Sequence, residues 1–218
     1  MPKQFDLIVW DWDGTLADST SMITNAVLKA AQQVGLPTLT RQEASNIIGL
    51  GLYEAIEALY GEIPTEKAQE MARLYTANYY AGESQIPLFE GVADTIKMLN
   101  MRGFKLAVAT GKGRRGLDLA FEHCGLGKYF HGTRTVDECF SKPHPQMIDE
   151  LMDNLVVLPE RTLMIGDTSY DLQMASNAGV SAVGVTYGAQ SAVQWQHLNP
   201  IQQFDDFASL GQWLLENA

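Results

Sequence analysis

The chain has 218 residues, 46% hydrophobic and 19% charged, a composition typical of a globular protein that buries roughly 70% of its unfolded surface. Its two cysteines, without a CxxC or a nearby histidine pair, argue against a disulfide framework and a zinc site. No apolar run suits a signal peptide or a membrane span, so we expect a cytoplasmic protein. The net charge of −11 argues against a nucleic-acid partner, because phosphate backbones are bound by basic surfaces.

The first predicted strand covers residues 5–11 (FDLIVWD), a short apolar run that ends in an acid and opens into a turn at Gly14. The next interval, to about residue 82, is helical, because apolar residues recur at helical spacing between glycine and proline breaks. The predicted helices are 21–34, 41–48, 53–60 and 65–80. Four helices are too many for a simple crossover, so we predict an inserted all-helical cap domain at residues 19–82. Its hinges are expected at residues 16–19 and 82–89.

After the insert, predicted strands and helices alternate along the chain. The strands are 105–110, 162–165 and 180–187, and the helices are 92–101, 117–123, 145–155 and 171–178. A strand or turn and an amphipathic helix are expected over residues 204–215. Continuous apolar runs are typical of strands covered on both faces. The alternation therefore predicts a doubly wound parallel-sheet (Rossmann-like) α/β core, built from residues 1–18 and 83–218.

Acidic residues follow the first strand, at the sheet edge where doubly wound folds bind ligands. Asp11 and Asp13 are two apart, so an extended backbone points both carboxylates the same way. Such a pair is costly unless a cation lies between the acids or one of them is protonated. Both situations suit phosphoryl transfer, with one carboxylate as nucleophile and the other as general acid and base. Gly14 allows the turn to bring backbone N–H groups around a phosphate.

Later strand ends supply the remaining chemistry. Asp167 and Asp171 are four apart in GDTSYD, and face the same direction if a helix begins at Asp167. With Asp11 they offer the hard oxygen ligands that Mg²⁺ prefers. Thr110 with Gly111 can donate to a phosphate oxygen, and Lys142 can neutralise developing charge. Each feature alone has an ordinary explanation as a turn, a helix cap or a surface charge, but their occurrence at successive strand ends favours a functional site.

Four segments closely resemble the motifs of the haloacid dehalogenase-like hydrolase superfamily. The family's DxDGTLxDS matches residues 11–19 (DWDGTLADS) at every specified position. Its second motif, a Thr or Ser before a turn, matches residues 110–112, its KPxP lysine matches residues 142–145, and its GDxxxD matches residues 166–171. The placement of the insert resembles the family's helical cap. Length, cap placement and motif spacing resemble those of phosphoglycolate-type phosphatases.

This resemblance implies a Mg²⁺-dependent phosphatase that hydrolyses a small phosphorylated metabolite through an aspartyl-phosphate. By position, Asp11 is the expected nucleophile and Asp13 the general acid and base. The resemblance implies Mg²⁺ bound by Asp11, the backbone carbonyl of Asp13 and Asp167, with Asp171 as a further ligand or a holder of metal-bound water. The expected phosphate-binding residues are Gly14, Thr15, Thr110, Gly111, Lys112 and Lys142.

Other activities on the same fold are the alternatives. A dehalogenase does not retain the second acid of the first motif, so Asp13 argues against one. A phosphonate-cleaving enzyme needs a cap lysine, and Lys29, the only lysine in the first cap helix, resembles part of an exposed face. A sugar-phosphate mutase needs a basic phosphate contact in the cap, which the loop at residues 48–52 (IGLGL) lacks. A non-catalytic phospho-ligand binding module is the alternative from a different class. A receiver carries its acceptor aspartate on a middle strand and has no inserted cap.

Two features bear on the substrate. The apolar, glycine-rich loop at residues 48–52 either reaches over the site and selects the leaving group or forms a tight helix–helix turn. An acidic leaving group would need a positive partner. Lys112, Arg114 and Arg115 either provide that partner or are solvated surface charges. The sequence predicts neither the natural substrate nor an oligomeric state.

Overall fold

A computed structural model describes residues 3–81 and 86–218, and its centre is one parallel sheet with the strand order β3-β2-β1-β4-β5-β6. The strands are β1 (Leu7–Trp10), β2 (Lys105–Thr110), β3 (Gly132–Thr135), β4 (Thr162–Gly166), β5 (Ser181–Val185) and β6 (Gln202–Phe204). β1 pairs with β2 on one side and with β4 on the other. The strand order reverses there, so the crevice beyond the carboxyl ends of β1 and β4 is the expected ligand site.

Both faces of the sheet are covered by helices. Side chains alternate along β1, so Leu7 and Val9 enter one hydrophobic core while Ile8 and Trp10 enter the other. The core containing Ile8 and Trp10 is completed by α5 (Val92–Met101), α6 (Arg114–Cys124) and α10 (Phe207–Asn217). The core containing Leu7 and Val9 is completed by α7 (Gln146–Leu155), α8 (Ser169–Asn177) and α9 (Ala192–Trp195). Burial on both faces is the physical reason for the continuous apolar runs in the sequence.

The interval between β1 and β2 forms a separate helical cluster. It contains α1 (Thr20–Val34), α2 (Arg41–Asn46), α3 (Leu52–Tyr60) and α4 (Thr65–Tyr80). α1 packs against α2 and α4, and α3 packs against α4, around a hydrophobic core of their own. Gly35 ends α1 in the left-handed conformation, and a capping box between Thr40 and Glu43 begins α2. The predicted α/β core with an all-helical insert is confirmed.

The two chain segments that join the insert to the core lie side by side. The N–H of Asp18 donates to the carbonyl of Pro87 at 2.9 Å, and the N–H of Phe89 donates to the carbonyl of Leu16 at 3.0 Å. The predicted boundary between residues 82 and 83, and part of the predicted hinge at residues 82–89, lie outside the described residues.

Several element boundaries differ from the predictions. β3 was missed because this partly exposed edge strand, GTRT, has no apolar run. α2 ends at Asn46 rather than at residue 48, since the next residues turn, with the N–H of Leu50 donating to the carbonyl of Ile47. α6 begins three residues earlier than predicted, at Arg114, and β6 begins at Gln202, two residues before the predicted final segment. Within residues 3–81 and 86–218, no helix is long and apolar enough to cross a bilayer.

Candidate active site

The loop after β1 carries Asp11 and Asp13 into the crevice. The N–H of Asp11 donates to the carbonyl of Ile165 in β4 at 2.9 Å, which continues the sheet ladder and fixes the position of the residue. Gly14 has a φ of +89°, and a Cβ at this position would lie 2.3 Å from Oδ2 of Asp167. Only glycine therefore allows the loop after β1 to approach the acid after β4 this closely.

Gly14 and Thr15 already use their polar groups within the protein. The N–H of Gly14 donates to the carbonyl of Ala17 at 2.9 Å, and the hydroxyl of Thr15 donates to Oδ1 of Asp167 at 2.9 Å. These bonds hold the loop and orient Asp167. The expected contact of Gly14 and Thr15 with phosphate stays a prediction.

The two acids after β4 are held by different contacts. Asp167 lies before α8, and its Oδ2 accepts a hydrogen bond from the N–H of Ala189 at 2.6 Å. The helix begins at Ser169 rather than at Asp167, because Oδ2 of Asp171 accepts hydrogen bonds from the N–H and the hydroxyl of Thr168. Asp171 thus takes part in capping the helix, as its ordinary structural explanation proposed, as the N3 partner of the N-cap residue Thr168, but its second oxygen faces Lys142. The capping contacts use Oδ2 of Asp171, and the contact with Lys142 uses Oδ1.

Lys142 contacts both Asp11, which follows β1, and Asp171, which follows β4. Its Nζ lies 2.6 Å from Oδ1 of Asp11 and 2.5 Å from Oδ1 of Asp171, and all three side chains are buried. The surface-charge explanation of Lys142 is therefore wrong, because the ammonium group is enclosed between two carboxylates. Burial alone would lower the pKa of Lys142, but Asp11 and Asp171 raise it above its usual value, so the side chain is a permanent cation.

Three buried carboxylates meet at this point. Oxygens of Asp11, Asp167 and Asp171 lie within 4.8 Å of one another. Burial raises the pKa of Asp11 well above its usual value, with Lys142 opposing the shift and Asp171 and Asp167 adding to it. Burial and the neighbouring Asp171 raise the pKa of Asp167 to about 7. One lysine does not compensate three buried acids, so the cluster favours a further cation.

The donor set fits Mg²⁺. Carboxylate oxygens are the hard ligands this ion prefers, and it is usually bound through a few of them. In the described part of the chain, no hydrogen-bond donor reaches the buried Oδ2 of Asp11, so one oxygen of the cluster has room for a ligand. Asp11, Asp167 and Asp171 are therefore the side chains that would hold the ion, as expected from the sequence.

The end of β2 contributes a second cation. Thr110 is buried, and its hydroxyl oxygen accepts a hydrogen bond from the N–H of Lys112 at 3.1 Å. Nζ of Lys112 lies 3.3 Å from both carboxylate oxygens of Asp13 and 2.5 Å from the hydroxyl of Tyr79 in α4. With its side chain only 7% exposed, Lys112 is not a solvated surface charge. Tyr79 was not predicted, because a tyrosine on a cap helix belongs to none of the motifs.

The two arginines of this loop do not point to the same place as Lys112. The guanidinium of Arg114 pairs with Glu138 at 2.7 Å and lies 3.4 Å from Asp118. The guanidinium of Arg115 lies 5.5 Å from the centre of the Tyr80 ring. Of the three candidate partners for an acidic leaving group, only Lys112 contacts a site acid.

The loop between α2 and α3 lies directly on the core. The N–H of Gly51 donates to Oγ of Ser141, beside Lys142, at 2.9 Å. A Cβ on Gly111 would lie 2.4 Å from the carbonyl oxygen of Gly49, so the two backbones are in contact. The glycine-rich loop therefore forms a helix–helix turn and also lines the cavity beside the site, while its selection of the leaving group stays a prediction. The hydroxyl of Ser45 in α2 also donates to the carbonyl of Ala189 at 3.1 Å, a second contact between the helical insert and the core.

A cavity of about 430 Å³ lies between the cap and the core. The predicted site residues that line it are Asp11, Asp13, Thr110, Gly111 and Lys112. Lys142, Asp167 and Asp171 are buried and do not line the cavity. A molecule in the cavity would therefore contact Asp11 and Asp13. Lys142 contacts Asp11 from within the protein.

Comparison with known proteins agrees with this geometry. The model of the family described as haloacid dehalogenase-like hydrolase matches residues 8–185, and the chain belongs to this family. It is 33% identical over 211 residues to a probable phosphatase, IndB, of Dickeya dadantii, covering 94% of this chain and 91% of that protein. It is 31% identical over 182 residues to the pyrophosphatase PpaX of Anoxybacillus flavithermus, covering 83% of each chain.

A solved structure shows the same architecture. The crystal structure of a predicted phosphoglycolate phosphatase from Haemophilus somnus 129PT matches with a TM-score of 0.84 and 26% identity, covering 97% of this chain and 99% of the other. The relatives are phosphatases, and the enzyme described here is a phosphatase of this family.

Proposed function

We propose that this phosphatase hydrolyses a small phosphorylated metabolite in two steps through a phosphoryl group on Asp11. The observation that carries the proposal is the convergence of Lys142 and two further buried acids on Asp11, at the base of a cavity between cap and core. The names of the relatives support phosphate chemistry but differ in substrate.

In the first step, a carboxylate oxygen of Asp11 attacks phosphorus, and the bond from phosphorus to the leaving oxygen breaks. Asp13 donates a proton to that oxygen, so the product leaves as a neutral alcohol. In the second step, Asp13 accepts a proton from water as the water oxygen attacks phosphorus. The bond from phosphorus to Asp11 then breaks and inorganic phosphate is released.

The surrounding residues support these steps. Lys112 lies equidistant from both oxygens of Asp13, and we infer that it positions this carboxylate towards the leaving oxygen. Lys142, Thr110 and Gly111 are the proposed contacts of the transferring phosphoryl group, as preorganised positive groups. Mg²⁺ held by Asp11, Asp167 and Asp171, together with the carbonyl of Asp13, would stabilise negative charge on the phosphoryl oxygens.

We also infer that residues 19–82 form a cap domain over a core of residues 1–18 and 83–218. The support comes from the separate hydrophobic core of the cap helices and from the paired connecting segments. A closed cap excludes water from the first step, and opening admits substrate.

Hydrolysis of p-nitrophenyl phosphate tests the proposal. We expect turnover by the wild-type protein with Mg²⁺, loss of turnover with excess EDTA, and a rate near background for Asp11→Asn. Asp94→Asn, which removes an exposed carboxylate on α5, is the matched control and is expected to retain wild-type turnover. Normal turnover by Asp11→Asn would show that Asp11 is not the nucleophile.

A further inference from the structure

The wall of the cavity beyond Asp13 comes mainly from the cap and is largely apolar. Aliphatic side chains from α1, α3 and α4 form most of it, and tyrosines of α4 form one side. The residues that set its character are Val27, Ile56, Leu59, Met71, Tyr75 and Tyr80. A leaving group attached to a phosphate at Asp11 would lie against these side chains, which favour an apolar or ring-shaped body.

The charge of the cavity wall is the second observation. Within the described residues, Lys112 is the only lysine, arginine or histidine that lines the cavity, and its ammonium group already pairs with Asp13 and Tyr79. Residues 82–85, which the structure does not describe, are Gly, Glu, Ser and Gln and carry no cationic side chain.

Acidic side chains make the wall less favourable still for an anion. Glu54 and Asp137 line the same cavity. Other cations around the site are engaged elsewhere and do not line the cavity: Lys142 is paired with Asp11 and Asp171, Arg114 is paired with Glu138, and Arg115 lies over the ring of Tyr80. A carboxylate or second phosphate on the leaving group would leave water for a wall that carries acids and whose one cation is already paired with Asp13, which is unfavourable.

We propose that the substrate of this site is a phosphate monoester of an uncharged alcohol or phenol with an apolar or ring-shaped body. The inference rests on the phosphatase activity proposed above. It separates this chain from an enzyme whose leaving group carries a carboxylate or a further phosphate, because such a leaving group needs a cation beyond Asp13.

Pairs of substrates that differ only in charge test the proposal. Phosphoglycolamide and phosphoglycolate have nearly the same size, as do 4-carbamoylphenyl phosphate and 4-carboxyphenyl phosphate, and only the second member of each pair has an anionic leaving group. We expect kcat/KM to be at least about tenfold higher for the neutral member of each pair, equivalent to about 1.4 kcal/mol. Equal values, or a preference for the anionic member, would overturn the proposal.

Charge reversal on α3 gives an independent measurement. Glu54 and Glu57 are both exposed on this helix, but only Glu54 lines the cavity. Glu54→Lys places a cation at the wall and is expected to shift the kcat/KM ratio by about fivefold towards the anionic substrates. Glu57→Lys is the matched control, with the same charge change outside the cavity, and its ratio should equal that of the wild type. Equal shifts in both variants would show that the cavity wall does not set the preference.

The two possible failures are distinguishable. If no substrate of the panel is hydrolysed in a Mg²⁺-dependent and Asp11-dependent way, both the proposed function and the inference about the leaving group are wrong. If the panel is hydrolysed with a preference for anionic leaving groups, the phosphatase function stands and the inference about the leaving group alone is wrong.

Discussion

Asp13 and Lys112 form a buried pair, and this contact supports their proposed position on the leaving-group side of the site. Lys112 contacts both oxygens of Asp13 at 3.3 Å, while Lys142 contacts Asp11 on the other side. Each of the two acids that follow β1 therefore has its own lysine. This division separates the proposed proton transfer at Asp13 from phosphoryl transfer at Asp11.

The proposed proton-donor role of Asp13 makes a specific prediction. Asp13→Asn keeps the size of the side chain but cannot donate a proton, so kcat/KM for an alkyl substrate such as benzyl phosphate should fall by about 10²–10⁴-fold. The fall should be much smaller for p-nitrophenyl phosphate, whose leaving oxygen departs without protonation. Steady-state kinetics with both substrates measures the difference. Equal losses for the two substrates would argue that Asp13 acts in another way.

The motifs predicted some of the residues that meet at the site. Asp11, Asp167, Asp171 and Lys142 meet as expected, because their loops follow adjacent strands of the sheet. The contact of Tyr79 with Lys112 was not foreseen, since it joins a cap helix to a core loop and no local pattern encodes such a pairing.

At the level of elements, the turn after α2 lies against the end of β2. The carbonyl of Gly49 occupies the space that a side chain on Gly111 would need, so this pair of backbones defines how far the cap closes. The loop prediction from the sequence identified the turn and its possible reach. No local pattern in the sequence indicated that this turn contacts Gly111.

Gly111→Ala should therefore prevent full closure of the cap. We expect kcat/KM to fall more than about tenfold while the melting temperature changes little, because the clash lies between the cap and the core and is relieved by opening. Gly132→Ala is the contrasting variant, since its Cβ would lie 2.9 Å from the buried Leu151 inside the core. It should lower the melting temperature and leave kcat/KM near the wild-type value. The opposite pattern would place the functional contact elsewhere.

At the level of the whole molecule, the cluster of buried acids lowers the stability of the metal-free folded protein. Asp11, Asp167 and Asp171 are buried together with one lysine, and their repulsion is present in the metal-free folded protein but not in the unfolded chain. A buried carboxylate costs stability unless it is compensated. Binding of Mg²⁺ to the folded state would compensate it and raise the melting temperature.

Asp167→Asn tests this balance. Without metal and above pH 7, where Asp167 is ionised, the variant should melt at a higher temperature than the wild type, because one buried charge is removed while an amide can still bond to Thr15 and Ala189. The stabilisation of the wild type by Mg²⁺ should be lost. Thermal melts in EDTA and in Mg²⁺ measure both effects. A variant that is less stable in EDTA and equally stabilised by Mg²⁺ would contradict the assignment of Asp167.

The same variant has an expected pH dependence. Asp167 has a pKa of about 7 in the folded protein, against 3.8 for the ordinary group, so the folded state holds a proton that the unfolded state has already released between these values. The free energy of unfolding of the metal-free wild type should therefore fall as pH rises from about 4 to about 7, relative to Asp167→Asn. Melts in EDTA across this range measure the difference, and a constant gap would show that Asp167 does not titrate there.

The sequence by itself determined the fold class and most of the residues that meet at the candidate site. Hydrophobic runs covered on both faces predict a parallel sheet, and short motifs at strand ends are local patterns that meet at one edge of that sheet. The edge strand β3 escaped prediction because a half-exposed strand has no continuous apolar run.

Only the tertiary structure decided which charges compensate which. Lys142 is 131 residues from Asp11 in the chain but 2.6 Å away in space, and Lys112 is held between Asp13 and a cap tyrosine. The apolar, acid-lined cavity arises from the closure of cap on core. Its character depends on packing between elements distant in sequence, which local propensity and spacing do not encode.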